Sequence, residues 1–162
     1  MMKILFITAE GFDTPNPNNQ MAEVMINDFL NNGFSVHLIQ SHRKGINPDI
    51  PHSLIGRENF IVDTISRKVV DKSNFVARYI DDVKYHFKSL KFWKKVKNID
   101  VIYLQSNPTI YFPMFLLKVF KKNIPIIYSI YDVFPGHAYD IGVIKNKLLY
   151  NIFRWLQKPC YR

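Results

Sequence analysis

The stretch that decides the fold is residues 99–142. It opens with Ile-Asp-Val-Ile-Tyr-Leu-Gln-Ser-Asn-Pro at positions 99–108 and continues to Ile-Pro-Ile-Ile-Tyr-Ser-Ile-Tyr-Asp-Val-Phe-Pro at positions 124–135. Each run is rich in Ile and Tyr and stops at a polar turn that contains proline, and the apolar segment Ile110–Lys122 between them has the length of a helix. Two strands joined through a helix form the βαβ unit of a parallel sheet.

Ligands of parallel sheets bind at the carboxyl ends of the strands, so the polar residues at these ends are the first candidates for a site. In this stretch they are Gln105, Ser106, Asn107, Tyr131, Asp132 and His137.

The N-terminal part repeats the same order of elements. Lys3–Thr8 is a continuous apolar run, which is typical of a strand buried on both faces. A polar loop follows, then a helical pattern over Met21–Asn32 and a second strand, Ser35–Gln40. Asn59–Ile65 is a short third strand after a long connection. We therefore predict an α/β, Rossmann-like three-layer sandwich with a mainly parallel sheet, formed by residues 1–162 as one domain.

Net charge, cysteine content and the lengths of the apolar runs limit the classes of partner and the location that the protein can have. The chain has 22 basic and 13 acidic residues, a net charge of +9, which favours an anionic partner. Cys160 is the single cysteine, so no internal disulfide forms and a reducing compartment is expected. No apolar run reaches the roughly 18 residues of a spanning helix, and no signal peptide is visible. These features predict a soluble or peripheral protein.

A long helix is predicted from about Ser73 to Lys95. At 100° per residue one apolar stripe should face the sheet; its members are Val76, Ile80, Val83, Phe87 and Leu90. A second stripe is basic and is flanked by aromatics; its members are Lys84, Lys88, Lys91 and Lys95, with Tyr85 and Phe92 beyond them. This pattern suits contact with an anionic membrane surface, and it also suits a solvated lysine face whose aromatics pack on a neighbouring segment. A further amphipathic helix is predicted over Lys145–Gln157.

Four motifs, in order, give the chain a family resemblance. They are Met2-Lys-Ile-Leu-Phe-Ile-Thr, Asn31-Asn-Gly-Phe-Ser-Val-His-Leu-Ile, Asp100-Val-Ile-Tyr-Leu-Gln-Ser-Asn-Pro-Thr, and Tyr131-Asp-Val-Phe-Pro followed by Ile141-Gly-Val-Ile. The last is similar to the "Asp-Leu-Trp-Pro…Leu-Gly-Val" signature of one branch. The chain thus resembles the N-terminal half of family 4, GT-B-fold glycosyltransferases, in particular the bacterial branch that builds capsule and O-antigen polysaccharides.

The resemblance implies an acceptor-binding domain, because in GT-B enzymes the N-terminal domain binds the acceptor and the C-terminal domain the nucleotide-sugar. We expect the last strand or strands and the donor domain to be missing, so that this chain holds no cofactor and does not transfer sugar alone. Expected partners are a lipid-linked or saccharide acceptor, an anionic membrane surface at the inner face of the cell membrane, and a separate donor domain. The alternative is a non-catalytic, membrane-anchoring or binding subunit of a split glycosyltransferase.

The resemblance also suggests roles for single residues. Asp132 is a candidate to orient or deprotonate an acceptor hydroxyl, or simply caps the turn before Pro135. Relatives often have His where this chain has Tyr131, which is a poor base, so His137 is the other catalytic candidate. The remaining residues are candidates for substrate binding; they are Asp13, Asn19, Ser106, Asn107 and Tyr131. Asp13 and Asn19 also suit a solvent-exposed loop, and Ser106 and Asn107 equally suit a cap of the helix that follows.

The sequence lacks the motifs that are typical of proteins binding other classes of ligand. Gly-x-Gly-x-x-Gly and P-loop patterns are absent, which disfavours a nucleotide-binding Rossmann protein. The basic residues follow one helix edge, unlike an aromatic RNA-binding strand, so no nucleic acid is expected. The histidines lack the spacing of metal ligands, so no metal is expected.

Overall fold

The structure is a computed structural model that describes residues 1–70, 74–105, 114, 117–119, 123–131 and 133–158. Five strands form one sheet in the order β3-β2-β1-β4-β5, and every pair is parallel. They are β1 Lys3–Ile7, β2 Ser35–Arg43, β3 Phe60–Arg67, β4 Val101–Gln105 and β5 Ile126–Ser129. The predicted α/β, Rossmann-like fold with a parallel sheet is confirmed.

Helices connect and cover the strands. They are α1 Pro17–Asn31, a short 3-10 helix His52–Leu54, α2 Phe75–Lys95, α3 Gly136–Asp140 and α4 Lys147–Gln157. An asparagine caps each of α1, α2 and α4: the side chains of Asn16, Asn74 and Asn146 accept hydrogen bonds from main-chain N–H groups of the first turn. Of the helix predicted over Ile110–Lys122, Met114 and residues 117–119 are helical, and the rest lies outside the described residues.

The two faces of the sheet carry separate hydrophobic cores, which makes the fold three-layered. Alternate residues of β1 go to opposite sides: Ile4 and Phe6 pack with α1, while Leu5 and Ile7 belong to the core that contains buried residues of α2. Phe6 stacks on Tyr103 of β4 with the ring centroids 4.6 Å apart. Because β1 and β4 are buried on both faces, their sequences are almost entirely apolar, whereas β2 also buries the polar side chains of His37, Gln40 and Ser41.

The predicted inner face of α2 is wrong in part: Leu90 packs against the core as predicted, but Ile80 and Phe87 do not lie on the inner face. Ile80 and Phe87 are 48% and 50% exposed, whereas the residues that face the core are Tyr85, His86, Ser89 and Trp93. Burial of the two hydroxyl groups is possible because they have partners within the protein: the Tyr85 hydroxyl donates to the Thr8 carbonyl oxygen at 2.5 Å, and the Ser89 hydroxyl donates to the His86 carbonyl oxygen at 2.7 Å. The helix therefore faces the sheet with residues that hydropathy counts as polar.

This rotation corrects part of the predicted membrane contact. Tyr85 is 1% exposed, so a membrane could not reach it, and Phe92 is partly buried and packs against the same core. The four lysines of the predicted stripe, Lys84, Lys88, Lys91 and Lys95, are exposed. Within the described ranges, no helix is both long and apolar enough to cross a bilayer.

Candidate functional site

A cavity of about 770 Å³ opens at the carboxyl edge of the sheet. Its walls include residues at or next to the ends of four strands: Thr8 after β1, Ser41–Arg43 in β2, Arg67 in β3 and Gln105 in β4. The cavity thus spans the boundary between β1 and β4, where the strand order of the sheet reverses. Open α/β sheets bind their ligands at this point. Loop residues 9–14 except Phe12, and residues of α3, supply further walls.

The loop after β1 is held tightly against β2. A Cβ atom built on Gly11 would lie 1.8 Å from the carbonyl oxygen of Ser41, so only glycine fits there. The Ser41 hydroxyl donates to the Ala9 carbonyl oxygen at 2.7 Å. These contacts fix the floor of the cavity between the two strands.

Asp13 lies where the sequence predicted a cleft residue, in the cavity wall. Its side chain is 3% exposed and accepts a hydrogen bond from the main-chain N–H of Arg43 at 3.0 Å. The Arg43 Nε atom lies 3.9 Å from the same carboxylate oxygen. Asp13 therefore ties the first loop to the end of β2 and presents a carboxylate at the cavity.

Asn19 has a different position from the one predicted for a ligand-binding residue. It is buried in the first turn of α1, and its amide nitrogen donates to the carbonyl oxygens of Gly11 and Thr14 at 2.7 and 2.6 Å. It does not belong to the cavity wall formed by the described residues. Asn19 fixes the shape of the loop that carries Asp13.

An ion-pair network that the sequence analysis missed forms another wall. Arg67 at the end of β3 donates through Nε to Asp81 at 2.8 Å, through Nη1 to the Ala9 carbonyl oxygen at 2.8 Å, and through Nη2 to Asp82. Its guanidinium carbon also lies 5.3 Å from the centroid of the Tyr85 ring. The signal was present in the sequence, since Arg67 follows the predicted third strand and so belongs to its carboxyl end.

Burial shapes the electrostatics of this network. Burial acts to lower the pKa of Arg67, but its two carboxylate partners outweigh that effect and raise it above the ordinary value. Burial raises the pKa of Asp82, and the charge of Arg67 opposes that shift only in part. Arg67 is therefore permanently charged and largely neutralised by its own partners.

The cavity wall is balanced in formal charge. Among the described residues it contains four basic side chains, Arg43, Arg67, Lys68 and Arg78, and four acidic ones, Glu10, Asp13, Asp81 and Asp82. Two histidines, His42 and His137, add groups that can donate or accept. The Nδ1 atom of His42 is buried and has no hydrogen-bond partner in the part of the chain that the structure describes. A wall of this kind offers donors and acceptors together and has no strong net charge.

The remaining predicted site residues divide into three groups. His137 lies in α3, is exposed and lines the cavity. Tyr131 is close to Tyr103, whose pKa is raised by burial and by this neighbour, and it is not part of the described cavity wall. Ser106, Asn107 and Asp132 lie outside the described residues. Across the described ranges, no group of three or more His, Cys, Asp or Glu side chains is arranged to hold a metal ion.

Comparison with known proteins supports the fold class. No protein-family model and no curated protein matches the chain. The C-terminal domain of a hydrogenase from Pyrococcus furiosus is similar in structure, with a TM-score of 0.57 at 12% identity over 80% of this chain and 91% of that one. A UGT transferase from Siraitia grosvenorii, solved with UDP, matches 91% of this chain and 33% of its own length at 13% identity, with a TM-score of 0.44. The first likeness shows the fold alone, and neither likeness assigns a function.

Proposed function

We propose that this chain is the acceptor-binding domain of a nucleotide-sugar-dependent glycosyltransferase that acts in bacterial surface polysaccharide synthesis. The observation that carries the proposal is the cavity at the reversal of strand order, with its mixed and charge-balanced wall. Sugar hydroxyls act both as donors and as acceptors, so a wall that offers both suits them better than a purely basic wall. The four motifs that resemble family 4 glycosyltransferases support the same function.

The cavity residues have distinct parts in this proposal. Asp13, a buried carboxylate, accepts from an acceptor hydroxyl, and the unpartnered Nδ1 of His42 takes a further hydroxyl contact. Arg43 and Lys68, at the ends of β2 and β3, are placed to meet a phosphate if the acceptor carries one. The candidates for proton transfer are His137, which lines the cavity, and Asp132, whose role rests on the family resemblance.

The donor belongs to another domain in this proposal. A nucleotide-sugar is held by the second Rossmann-like domain of a GT-B enzyme, and sugar transfer needs both halves. This chain alone therefore binds the acceptor without turnover. A location at an anionic membrane surface is the second part of the proposal, and it is supported by the net charge of +9 and by the exposed lysines of α2.

Saturation-transfer NMR tests the binding function without any membrane. The probes are glucose, N-acetylglucosamine and galactose, each as the methyl glycoside and as the 1-phosphate, with inorganic phosphate as the reference anion. We expect saturation of the sugar-ring protons for at least one probe, and a fivefold or larger loss of that signal in Asp13→Asn/His42→Phe. We expect the 1-phosphate of that sugar to bind more tightly than the glycoside, and Arg43→Gln/Lys68→Gln to remove the difference.

The matched control removes the same charge elsewhere. Lys84→Gln/Lys91→Gln lacks two exposed lysines of α2 and should bind like the wild type. Binding of inorganic phosphate alone, with no sugar-ring saturation for any probe, would overturn the proposal that the cavity is a sugar site. Equal loss of binding in the control variant would show that the signal reports general charge and not the cavity.

A further inference from the structure

We infer that α4 is an interfacial helix that lies in the headgroup region of an anionic membrane. This inference deepens the proposed membrane location and rests on that part of the proposed function. The apolar contact with the membrane is thereby assigned to α4, whose apolar side chains are exposed. It is no longer assigned to α2, whose Tyr85 and Phe92 side chains pack toward the core. The sequence analysis assigned no ligand to this helix.

The outer surface of α4 is apolar. Trp155 and Leu148 are 67% and 68% exposed, and the other exposed members of the face are Leu149, Ile152 and Leu156. The helix is attached to the domain by a different side: Phe153 meets Phe134 and Tyr79 with centroid distances of 5.2 and 5.7 Å, and Gln157 is buried. At 100° per residue the exposed apolar side chains occupy one continuous arc beside the attached side. Large apolar groups rarely remain in water together unless they bind something.

The charged residues on and next to α4 indicate that the partner of its apolar face is anionic. Residues 141–158 contain Lys145, Lys147, Arg154 and Lys158 and no acidic residue. On the helical wheel Lys147, Arg154 and Lys158 form the arc opposite the exposed leucines and isoleucine, and Asn151 is the other member of that arc. An apolar face with a tryptophan at its edge, and a polar face whose charged residues are all basic, is the composition of a helix that lies in a membrane interface. A protein-docking face has no need for such a uniform charge.

The exposed apolar surface continues beyond the helix. Ile141 and Val143, in the turn that leads from α3 to α4, are also exposed, and both line the cavity. The surface that we assign to the membrane therefore reaches the mouth of the proposed acceptor site. An acceptor anchored in the bilayer could then reach the cavity without leaving the membrane surface.

Tryptophan fluorescence and vesicle co-sedimentation test this inference. The chain has two tryptophans, and Trp93 is 2% exposed, so changes on lipid binding report Trp155. The probe is a vesicle of phosphatidylcholine with 30% phosphatidylglycerol, compared with phosphatidylcholine alone. We expect a blue shift and protection from acrylamide with the anionic vesicles only, and a weaker effect at high salt.

Three variants separate insertion of the apolar face from general electrostatic attraction. Trp155→Ser/Ile152→Ser keeps every charge, and we expect it to bind anionic vesicles at least tenfold more weakly. Lys84→Glu/Lys88→Glu/Lys91→Glu reverses three lysines of α2, and Lys145→Glu/Lys147→Glu/Arg154→Glu reverses three basic residues around α4. We expect the second set to reduce binding at least threefold more than the first. Far-ultraviolet circular dichroism confirms that each variant is folded.

Two results would overturn the inference. The first is vesicle binding that survives Trp155→Ser/Ile152→Ser and is lost in the α2 variant. The second is concentration-dependent self-association without lipid that Trp155→Ser/Ile152→Ser abolishes, which would assign the face to a second copy of the chain. Neither result affects the sugar-binding test, because that test contains no vesicles and its variants leave α4 unchanged.

Discussion

His86 should make the protein sensitive to mild acid. The side chain is 1% exposed, and burial, helped by the charge of Arg67, lowers its pKa from 6.5 to about 3. The unfolded chain therefore binds a proton that the folded chain does not bind at any pH between these two values. Stability consequently falls as the pH falls through this window. The linkage relation gives a loss of about 2 kcal/mol at pH 5 relative to pH 8, and of about 3 kcal/mol at pH 4.

A loss of this size is measurable because domains of this kind are stable by only about 5–15 kcal/mol. His86→Phe keeps a ring next to Tyr85, whose ring centroid lies 5.2 Å from that of His86, and it removes the titrating group. Urea unfolding at a series of pH values from 8 to 4 gives the free energy of unfolding of each protein. We expect the difference between wild type and His86→Phe to change by about 2 kcal/mol between pH 8 and pH 5.

The difference between the two proteins isolates this one histidine. The raised pKa of Asp82 has the opposite effect on stability, because there the folded state binds the extra proton, but Asp82 is present in both proteins. His52→Gln, at an exposed position of the 3-10 helix, serves as the matched control and should follow the wild-type curve. Parallel curves for wild type and His86→Phe would refute the reasoning.

Three further predictions concern the loop, the ion-pair network and α4. Gly11→Ala forces a Cβ against the Ser41 carbonyl oxygen and should destabilise the fold by about 1–3 kcal/mol in urea unfolding. Gly136→Ala should not, because its Cβ would meet only the Val133 Cγ1 atom, at 4.0 Å. Arg67→Met removes the ion-pair partner of Asp81 and Asp82 and should lower the free energy of unfolding by about 3 kcal/mol. In an Asp81→Asn/Asp82→Asn background the same change should lower it by clearly less. Equal losses in the two backgrounds would contradict the network. Asn146→Ala removes the cap that accepts from the main-chain N–H groups of Leu148 and Leu149 and should cost about 1 kcal/mol by thermal unfolding, with Asn151→Ala as the control.

The sheet could be predicted because its strands are buried on both faces. Every residue of Ile4–Ile7 is buried, and the unbroken apolar run in the sequence reports that directly. Strand ends were less certain: β2 extends to Arg43 and β3 to Arg67, beyond the predicted ends at Gln40 and Ile65. These extra residues are polar, and all of them except Ser66 line the cavity, so a pattern based on hydrophobicity stops where the site begins.

The site was predictable only in its location. The rule that ligands bind at the carboxyl ends of parallel strands led to Gln105 and His137, and the family resemblance led to Asp13; all three line the cavity. It could not reveal the network of Arg67 with Asp81 and Asp82, because these partners are 14 and 15 residues apart in the chain and meet only when α2 packs on the sheet. The sequence also could not distinguish Asp13, which faces the cavity, from Asn19, whose side-chain amide is hydrogen-bonded within the loop.

The helices α2 and α4 show why a hydropathy pattern alone does not locate the buried face of a helix. In α2 the side chains that satisfy polar groups inside the protein, Tyr85 and Ser89, occupy the inner face, and apolar side chains such as Ile80 remain outside. In α4 the inner face is occupied by Phe153 and Gln157, and a larger apolar face is left outward. A helical wheel finds the most apolar face, but burial depends on which side chains find partners in the domain. An apolar face that is left over after that selection, as on α4, is therefore better evidence for an external partner than amphipathicity alone.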